Sequence, residues 1–277
     1  MSKYDSILAK SERNGGTSLR SHLELVASFA GEAARYASMD EEIARIGGLL
    51  HDIGKASPEF QRRLTTAVDP TAKPFRHELA SLFFLKMVDT SIWPPLIEMI
   101  VAHHKSVKCM DPNGSRRGFL DLVYDYEENF DIHVKGFETW SKDACGLLEE
   151  LGMTTSALSQ EDAREAYQYA IAYCRGKGKN WSPWKGLLMG ADHFASAVGD
   201  FHGHIPRLFA MPDTAFYNRK HALYPLSLIP SDEGKRHTFV KAPTGAGKTD
   251  FLMKRCRGRI FYILPFQASI NAMFERI

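Results

Sequence analysis

Residues 48–60, GLLHDIGKASPEF, place an imidazole, a carboxylate and an ammonium (His51, Asp52 and Lys55) directly after the apolar pair Leu49 and Leu50. On a helix, Lys55 follows His51 by four residues and Asp52 by three, which puts it on their side. Neighbouring helical residues point about 100° apart, so His51 and Asp52 serve one target only if it lies close to the backbone between them, as a metal ion does. A lone His-Asp pair is more commonly a partly exposed helix face, and the rest of the chain decides the matter. His22 sits in SLRSHLELV, His77 opens HELASLFF, His103 and His104 end IEMIVAHH, and Asp192 lies in LLMGADHFAS, all in apolar surroundings. Each of these alone reads as a satisfied core or capping residue. Together, five His and two Asp impose a desolvation penalty that only partners can offset, and metal ions are the economical partners.

The donor types narrow the ion. Imidazole with few carboxylates and no thiolate suits transition metals such as Mn, Fe, Co, Ni or Zn, and suits Mg or Ca poorly. Seven ligands exceed one site that must keep a position open for substrate, so two metals are expected, with Asp52 bridging them. Two ions about 4 Å apart clamp the attacking and leaving oxygens of a phosphoryl displacement. Phosphoester hydrolysis is the expected chemistry.

The elements that must position these residues are mostly helices. Leu23, Val26, Ala27, Ala30 and Ala34 recur at helical steps, as do Ile43, Ile46, Leu49, Leu50 and Ile53. Further helices are expected over 77–89, 94–105, 137–151, 160–175 and 184–200, with starts marked by Ser57–Pro58, Pro94–Pro95 and Ser182–Pro183. The stretch 106–118 reads as an exposed loop which, with Lys105, Lys108, Arg116 and Arg117, is either a phosphate-steering surface or an ordinary solvated loop. Residues 202–236 hold four prolines and little periodicity and read as a linker. Beyond it, HTFVKAP (237–243) and GRIFYILP (258–265) look like buried strands around a helix from about Lys248 to Cys256, with a final helical piece to the end. That is the start of a parallel α/β sheet, too short to complete one, so the chain is expected to stop inside a second domain.

Composition excludes several classes. With 44% hydrophobic and 25% charged residues the chain can bury a core and is not disordered in bulk. Lys and Arg (35) nearly balance Asp and Glu (33), so any nucleic-acid surface must be local. Cys109, Cys145, Cys174 and Cys256 form no CxxC pair, which favours a reduced cytoplasmic protein. No signal peptide and no membrane span are expected.

The ordered set His22, His51-Asp52, His77, His103-His104 and Asp192 resembles the HD-type metallo-phosphohydrolases. The His doublet, HDIGKASPEFQRRL and ADHFAS are similar to the HD nuclease domain of type I CRISPR-associated nuclease-helicases, a resemblance that spans 17–200. It implies that His22, His51, Asp52 and Asp192 hold one metal and that Asp52, His77, His103 and His104 hold the other. It also implies a catalytic centre on Asp52, with Lys55 placed to bind the scissile phosphate and Ser196, one turn after Asp192, placed to do likewise. For Lys55 a solvated surface lysine is the competing reading. The remaining histidines, His133, His193, His202, His204, His221 and His237, are assigned surface or structural roles.

KAPTGAGKTD (241–250) has the form of a phosphate loop between a strand and a helix: backbone N–H groups around Gly245 and Gly247 would cradle phosphates, Lys248 reach the β/γ-phosphates and Thr249 meet Mg²⁺. Ala242 stands where the general pattern has Gly, a variant that resembles motif I of superfamily 2 helicases, which the same family fuses to its nuclease. No Gln occurs between Gln168 and Gln267 to match the adenine-reading Gln of related helicases. The acidic motif and second-lobe arginines of a helicase are also missing, so ATP turnover at a helicase rate is not expected of this chain.

The expected architecture is therefore a mainly α chain: an all-helical HD-type domain at 1–201, a linker at 202–236 and a truncated RecA-like α/β helicase fragment at 237–277. The expected function is metal-dependent cleavage of single-stranded DNA within CRISPR interference, using two divalent transition metals, with ATP and Mg serving the helicase part. A guide-RNA surveillance complex is the expected partner and the chain is expected to be a monomer. Two other readings stand beside it: an HD-type nucleotide phosphohydrolase, and a non-catalytic, metal-stabilised recruiting module.

Overall fold

The computed structural model describes residues 2–11, 13, 15–66, 73, 75–102, 109–110, 116–117, 126–177, 182–198, 209–210, 213, 215–230, 237–256 and 258. The chain divides into two compact units, Met1–Ile205 and Pro206–Ile277.

The first unit is built on helices whose ends carry their own stop signals. Helix α1 (Leu19–Ala37) starts where the Ser18 hydroxyl accepts from Ser21 N, and ends on Ser38 in the left-handed region (φ 56°). Helix α2 (Glu41–Leu50) is capped by Asp40, whose carboxylate accepts from Ile43 N at 2.9 Å. A 3-10 turn (Ile53–Ala56) follows, then α3 (Pro58–Thr65) with Pro58 in its first turn. Next come α4 (His77–Ser81), α5 (Trp93–Ala102), α6 (Tyr126–His133), α7 (Phe137–Glu150), α8 (Gln160–Gly176) and α9 (Pro183–Val198). Helix α8 opens on a reciprocal cap between Ser159 and Asp162.

Helix α1 presents Leu19, His22, Leu23, Val26, Ala27, Ala30 and Ala34 to the interior, at spacings of three and four. It packs against α2 and α9, and α9 packs in turn on α5 and α2. Phe29 of α1 and Phe194 of α9 meet edge to face at 4.9 Å. A second group, Phe83, Phe84, Phe130, Phe137, Trp140 and Tyr167, interlocks in the same continuous core. The Cys145 and Cys174 thiols are pushed up by burial, to about 11 and about 12, and stay protonated.

Two glycines let the chain approach itself at van der Waals limits. A Cβ on Gly48 would lie 2.5 Å from the Ala27 Cα, so α1 and α2 are in backbone contact there. A Cβ on Gly54 would lie 2.2 Å from the His77 carbonyl oxygen, where the 3-10 turn meets α4.

Several expectations are corrected. The helix expected over 77–89 is a short α-helix that tightens into a 3-10 turn at Leu82–Met87, where the apolar run Leu82–Leu85 is buried on every side. Helix α5 begins one residue before its proline pair, and 103–105 lie outside the described residues. The expected loop at 106–118 contains a two-residue antiparallel ladder, Cys109–Met110 with Arg116–Arg117. Helix α6, with its polar sequence YEENFDIH, shows little apolar period and was not expected.

In the second unit, 3-10 turns at Ala215–Asn218 and Pro225–Leu228 occupy the expected linker, and α10 (Lys248–Arg255) follows the glycine loop. The strand expected at 237–243 is irregular backbone. A strand exists only through lateral hydrogen bonds; none of the described residues pairs with this segment, and Phe239 is 98% exposed. Of the second expected strand only Gly258 is described, as a bend, and the final helical piece lies outside the described residues. Among the described residues no helix is long and apolar enough to cross a membrane.

Gly48→Ala and Gly54→Ala are each expected to destabilise the first unit by about 1–3 kcal/mol, because the clashing atoms are backbone. Urea unfolding midpoints check this, and midpoints equal to wild type would refute it.

Candidate functional site

The HD pair does not lie inside a continuous helix. Helix α2 ends at Leu50, His51 caps it in helical geometry, and Asp52 adopts the bridge conformation (φ −116°, ψ 4°) before the 3-10 turn. That break turns both side chains inward, which answers the 100° problem posed by the sequence. His51 is fully buried and Asp52 is 2% exposed.

Asp52 is the meeting point. Its Oδ2 lies 3.1 Å from His22 Nε2, 3.3 Å from His51 Nε2 and 2.5 Å from Lys55 Nζ. Its Oδ1 lies 2.9 Å from His77 Nε2. Asp192, from α9, brings Oδ1 to 3.4 Å from His22 Nε2. Four separate chain segments thus supply one cluster. His103 and His104 lie outside the described residues.

Ring orientations are set from behind. The Gly48 carbonyl accepts from His51 Nδ1 at 2.7 Å, which places a proton on Nδ1 and turns Nε2 toward Asp52. The backbone contact of Gly48 with Ala27 holds that carbonyl in place. Phe60 packs edge to face on His77 at 5.3 Å. Gly54 N donates to Ser81 Oγ at 2.9 Å, joining the turn that carries Lys55 to α4.

His133, which sequence assigned a surface or structural role, is a buried anchor. Its Nε2 accepts from Arg76 N at 2.7 Å and its Nδ1 donates to Asn129 O at 2.5 Å, fixing the backbone one residue before His77. Burial pushes its imidazole down to about 4, so it is neutral at physiological pH. Glu78 is also buried; burial raises its carboxyl, but His77 and Arg76 together outweigh this and hold it at about 2. The structural role of His133 falls within the sequence expectation, whereas Glu78, second residue of the HELASLFF run, was not singled out.

Of the other expected residues, Lys55 is 9% exposed and ion-paired with Asp52, which excludes the solvated-lysine reading. Ser196 is exposed and accepts from Lys10 Nζ at 3.0 Å. His193, His221 and His237 are exposed, and His202 and His204 lie outside the described residues.

The donor set fits a metal ion. Ligand atoms of His22, His51 and Asp192 lie within 4.8 Å of one another, two imidazoles and a carboxylate in the combination that first-row divalent ions favour. Asp52 extends the cluster to His77 through its second oxygen.

In the second unit Gly245, Gly247, Lys248 and Thr249 line one cavity of ≈660 Å³ with Phe216, Tyr217 and Tyr224. Gly245 and Gly247 take φ of 83° and 87°, a conformation that favours glycine, and a Cβ on Gly247 would lie 2.4 Å from the Tyr224 Cβ. Lys248 Nζ donates to the carbonyls of Ala242 and Pro243 at 2.8 and 2.9 Å, closing the loop on itself. Asp250 accepts from Ser227 Oγ at 2.6 Å and pairs with Arg219 at 2.7 Å.

A family model described as HD domain matches residues 19–135, a span that holds His22, His51, Asp52, His77, His103 and His104 and stops before Asp192. No curated protein and no solved structure matches the chain. An HD domain implies a metal-dependent phosphohydrolase.

Two measurements test the geometry. A histidine whose folded pKa is depressed contributes stability that is full above its unfolded value and lost as pH falls. His133 is therefore expected to withdraw up to about 3 kcal/mol between pH 6.5 and 4. His133→Gln keeps an acceptor for Arg76 N and should flatten that part of the pH profile of urea unfolding; an unchanged profile would refute the role. Mn²⁺ or Ni²⁺ added to chelator-treated protein should raise Tm, by about 2.7 kcal/mol of stabilisation at 100 times Kd, and Asp192→Asn should remove most of the rise.

Proposed function

We propose that the HD domain at residues 19–135, completed by Asp192 of α9, is a metal-dependent phosphodiesterase that cleaves single-stranded DNA, the nuclease part of a CRISPR interference nuclease-helicase. The observation that carries the hydrolytic reading is the Asp52 carboxylate, which turns one oxygen to His22, His51 and Lys55 and the other to His77. A carboxylate with ligand-type imidazoles on both oxygens is placed to bridge two ions.

On this reading His22, His51, Asp52 and Asp192 hold one divalent ion and Asp52 and His77, with His103 and His104, the other. Mn, Fe, Co or Ni suit these donors. When bound, such ions supply charge stabilisation at the phosphoryl group and activation of water. The chain's own residues bind and orient. The Gly48 carbonyl keeps the His51 proton on Nδ1. Lys55 is 9% exposed and its ammonium lies 2.5 Å from the Asp52 carboxylate, where an incoming phosphate oxygen can exchange for that contact.

What favours a polymeric substrate is the KAPTGAGKTD sequence of the second unit, whose Gly245 and Gly247 take positive φ before the Lys248 helix, a pattern shared with phosphate loops and so with a motor that would feed a strand. The order of motifs along the chain supports the same assignment, with a guide-RNA surveillance complex as the partner that opens the duplex. We propose ATP and Mg as ligands of that loop and a monomer acting in the cytoplasm.

The deciding experiment offers circular single-stranded DNA to chelator-treated protein with Mn²⁺, Ni²⁺, Co²⁺ or Mg²⁺ and no ATP. Nicking is expected with the transition metals, and Asp52→Ala should lose at least about 100-fold, more than the loss of an outer-shell partner. Intact circles alongside hydrolysed mononucleotides would replace this reading with a nucleotide phosphohydrolase; inactivity on both, with metal still bound, would point to a recruiting module.

A further inference from the structure

Residues 2–11, near the start of the chain, are strapped to the metal-ligand unit. They fold back on α1: Ala9 N donates to Thr17 O at 2.8 Å, Leu19 N to Ile7 O at 2.6 Å, and Leu8 and Ser18 form an isolated antiparallel bridge. From the other side, the Gln61 carboxamide of α3 treats Leu8 as a strand partner, accepting from Leu8 N at 3.0 Å and donating to Leu8 O at 2.9 Å. The same Gln61 amide donates to Lys55 O at 2.7 Å, tying the strap to the turn that follows Asp52. Ala9 is buried, and the next residue, Lys10, reaches across to α9 and donates to Ser196 Oγ at 3.0 Å.

Ser196 stands four residues after Asp192, about 6 Å further along the same helix face. The Lys10 ammonium therefore sits roughly one helical turn from the cluster's outermost carboxylate. The two lysines near the site differ in kind. Lys55 is buried and ion-paired with Asp52. Lys10 is partly exposed, its partner in this contact is a neutral hydroxyl, and it forms no ion pair among the described residues.

We propose that Lys10, with the Ser196 hydroxyl, binds a backbone phosphate adjacent to the scissile one and so makes the site prefer a strand over a mononucleotide. The inference rests on the strand-cleaving reading above. Lysine contacts to phosphate position a strand without reading its bases. A substrate with one phosphate at the ligands has nothing to offer Lys10, whereas a strand presents its next phosphate to it.

The test is equilibrium binding of a fluorescein-labelled oligo-dT to chelator-treated protein, by anisotropy, from 50 to 200 mM salt. Each lysine–phosphate contact on a single strand contributes about 0.7 to the slope of log K against log salt. Lys10→Ala should bind at least about threefold more weakly at 50 mM salt with a slope shallower by ~0.7, and Lys10→Arg should restore both. Wild-type affinity and slope in Lys10→Ala would overturn the inference and leave strand cleavage standing. Absence of oligo-dT binding by the wild-type protein would overturn the strand-cleaving reading and this inference with it.

Discussion

A carboxylate that is 2% exposed cannot stay ionised without partners, and the first unit is arranged around meeting that demand for Asp52. Its partners come from α1, from the end of α2, from the following 3-10 turn and from the first residue of α4. Four segments can converge on one carboxylate only if their backbones come unusually close. The glycines at 48 and 54 stand at two of those approaches, against Ala27 and His77 respectively. Burial, charge and backbone proximity are in this sense one constraint. Removing a partner would leave a buried charge uncompensated, a penalty of several kcal/mol, and separating the backbones would have the same effect.

Around this centre lies a set of contacts that aim the ligands without joining them. The Gly48 carbonyl sets the His51 tautomer, His133 pins the peptide before His77, Ser81 holds the turn at Gly54, and Gln61 holds the carbonyl of Lys55. All four use a backbone group on one side. That choice suits a site whose side chains are committed to the central carboxylate, because backbone atoms are available wherever a helix ends or a turn tightens. The breaks at Leu50 and Ser81 therefore supply both the directions of the side chains and the groups that hold them.

The helices that carry His22, His51 and Asp192 were legible in sequence because a polar residue interrupting an apolar 3.6-residue period marks a buried polar position. His77 was legible for a different reason, as the start of an apolar run. What sequence did not disclose depends on tertiary context. The 3-10 geometry at Ile53–Ala56 and Leu82–Met87 follows from packing, and no residue type announces it. His133 reaches Arg76 across 57 positions and Lys10 reaches Ser196 across 186, separations at which periodicity carries no information. At 237–243 the β-prone residues Phe239 and Val240 suggested a strand, but propensity describes fitness for a ladder, and among the described residues no neighbour pairs with this segment.

The last described member of the cluster, Asp192, enters from the far end of the unit's sequence, so its place depends on how α9 is docked. Glu98 of α5 does much of that work. It is 4% exposed, accepts from the hydroxyls of Tyr173 and Ser182, and pairs with Lys177, so three residues from the end of α8 and the approach to α9 converge on one carboxylate. Ser182 in turn accepts from Lys185 N at 3.0 Å, capping the first turn of α9. A buried ion pair adds little net stability, but one whose partners all lie in a single connecting segment selects a single register for the helix that follows. Glu98 sits on the helix that runs toward positions 103 and 104. Glu98 thus links α5 to the end of α8 and the start of α9, as Asp52 links α1, α2 and α4, so two of the unit's buried acids tie its helices together: one at the cluster, one at the approach to the helix that completes it.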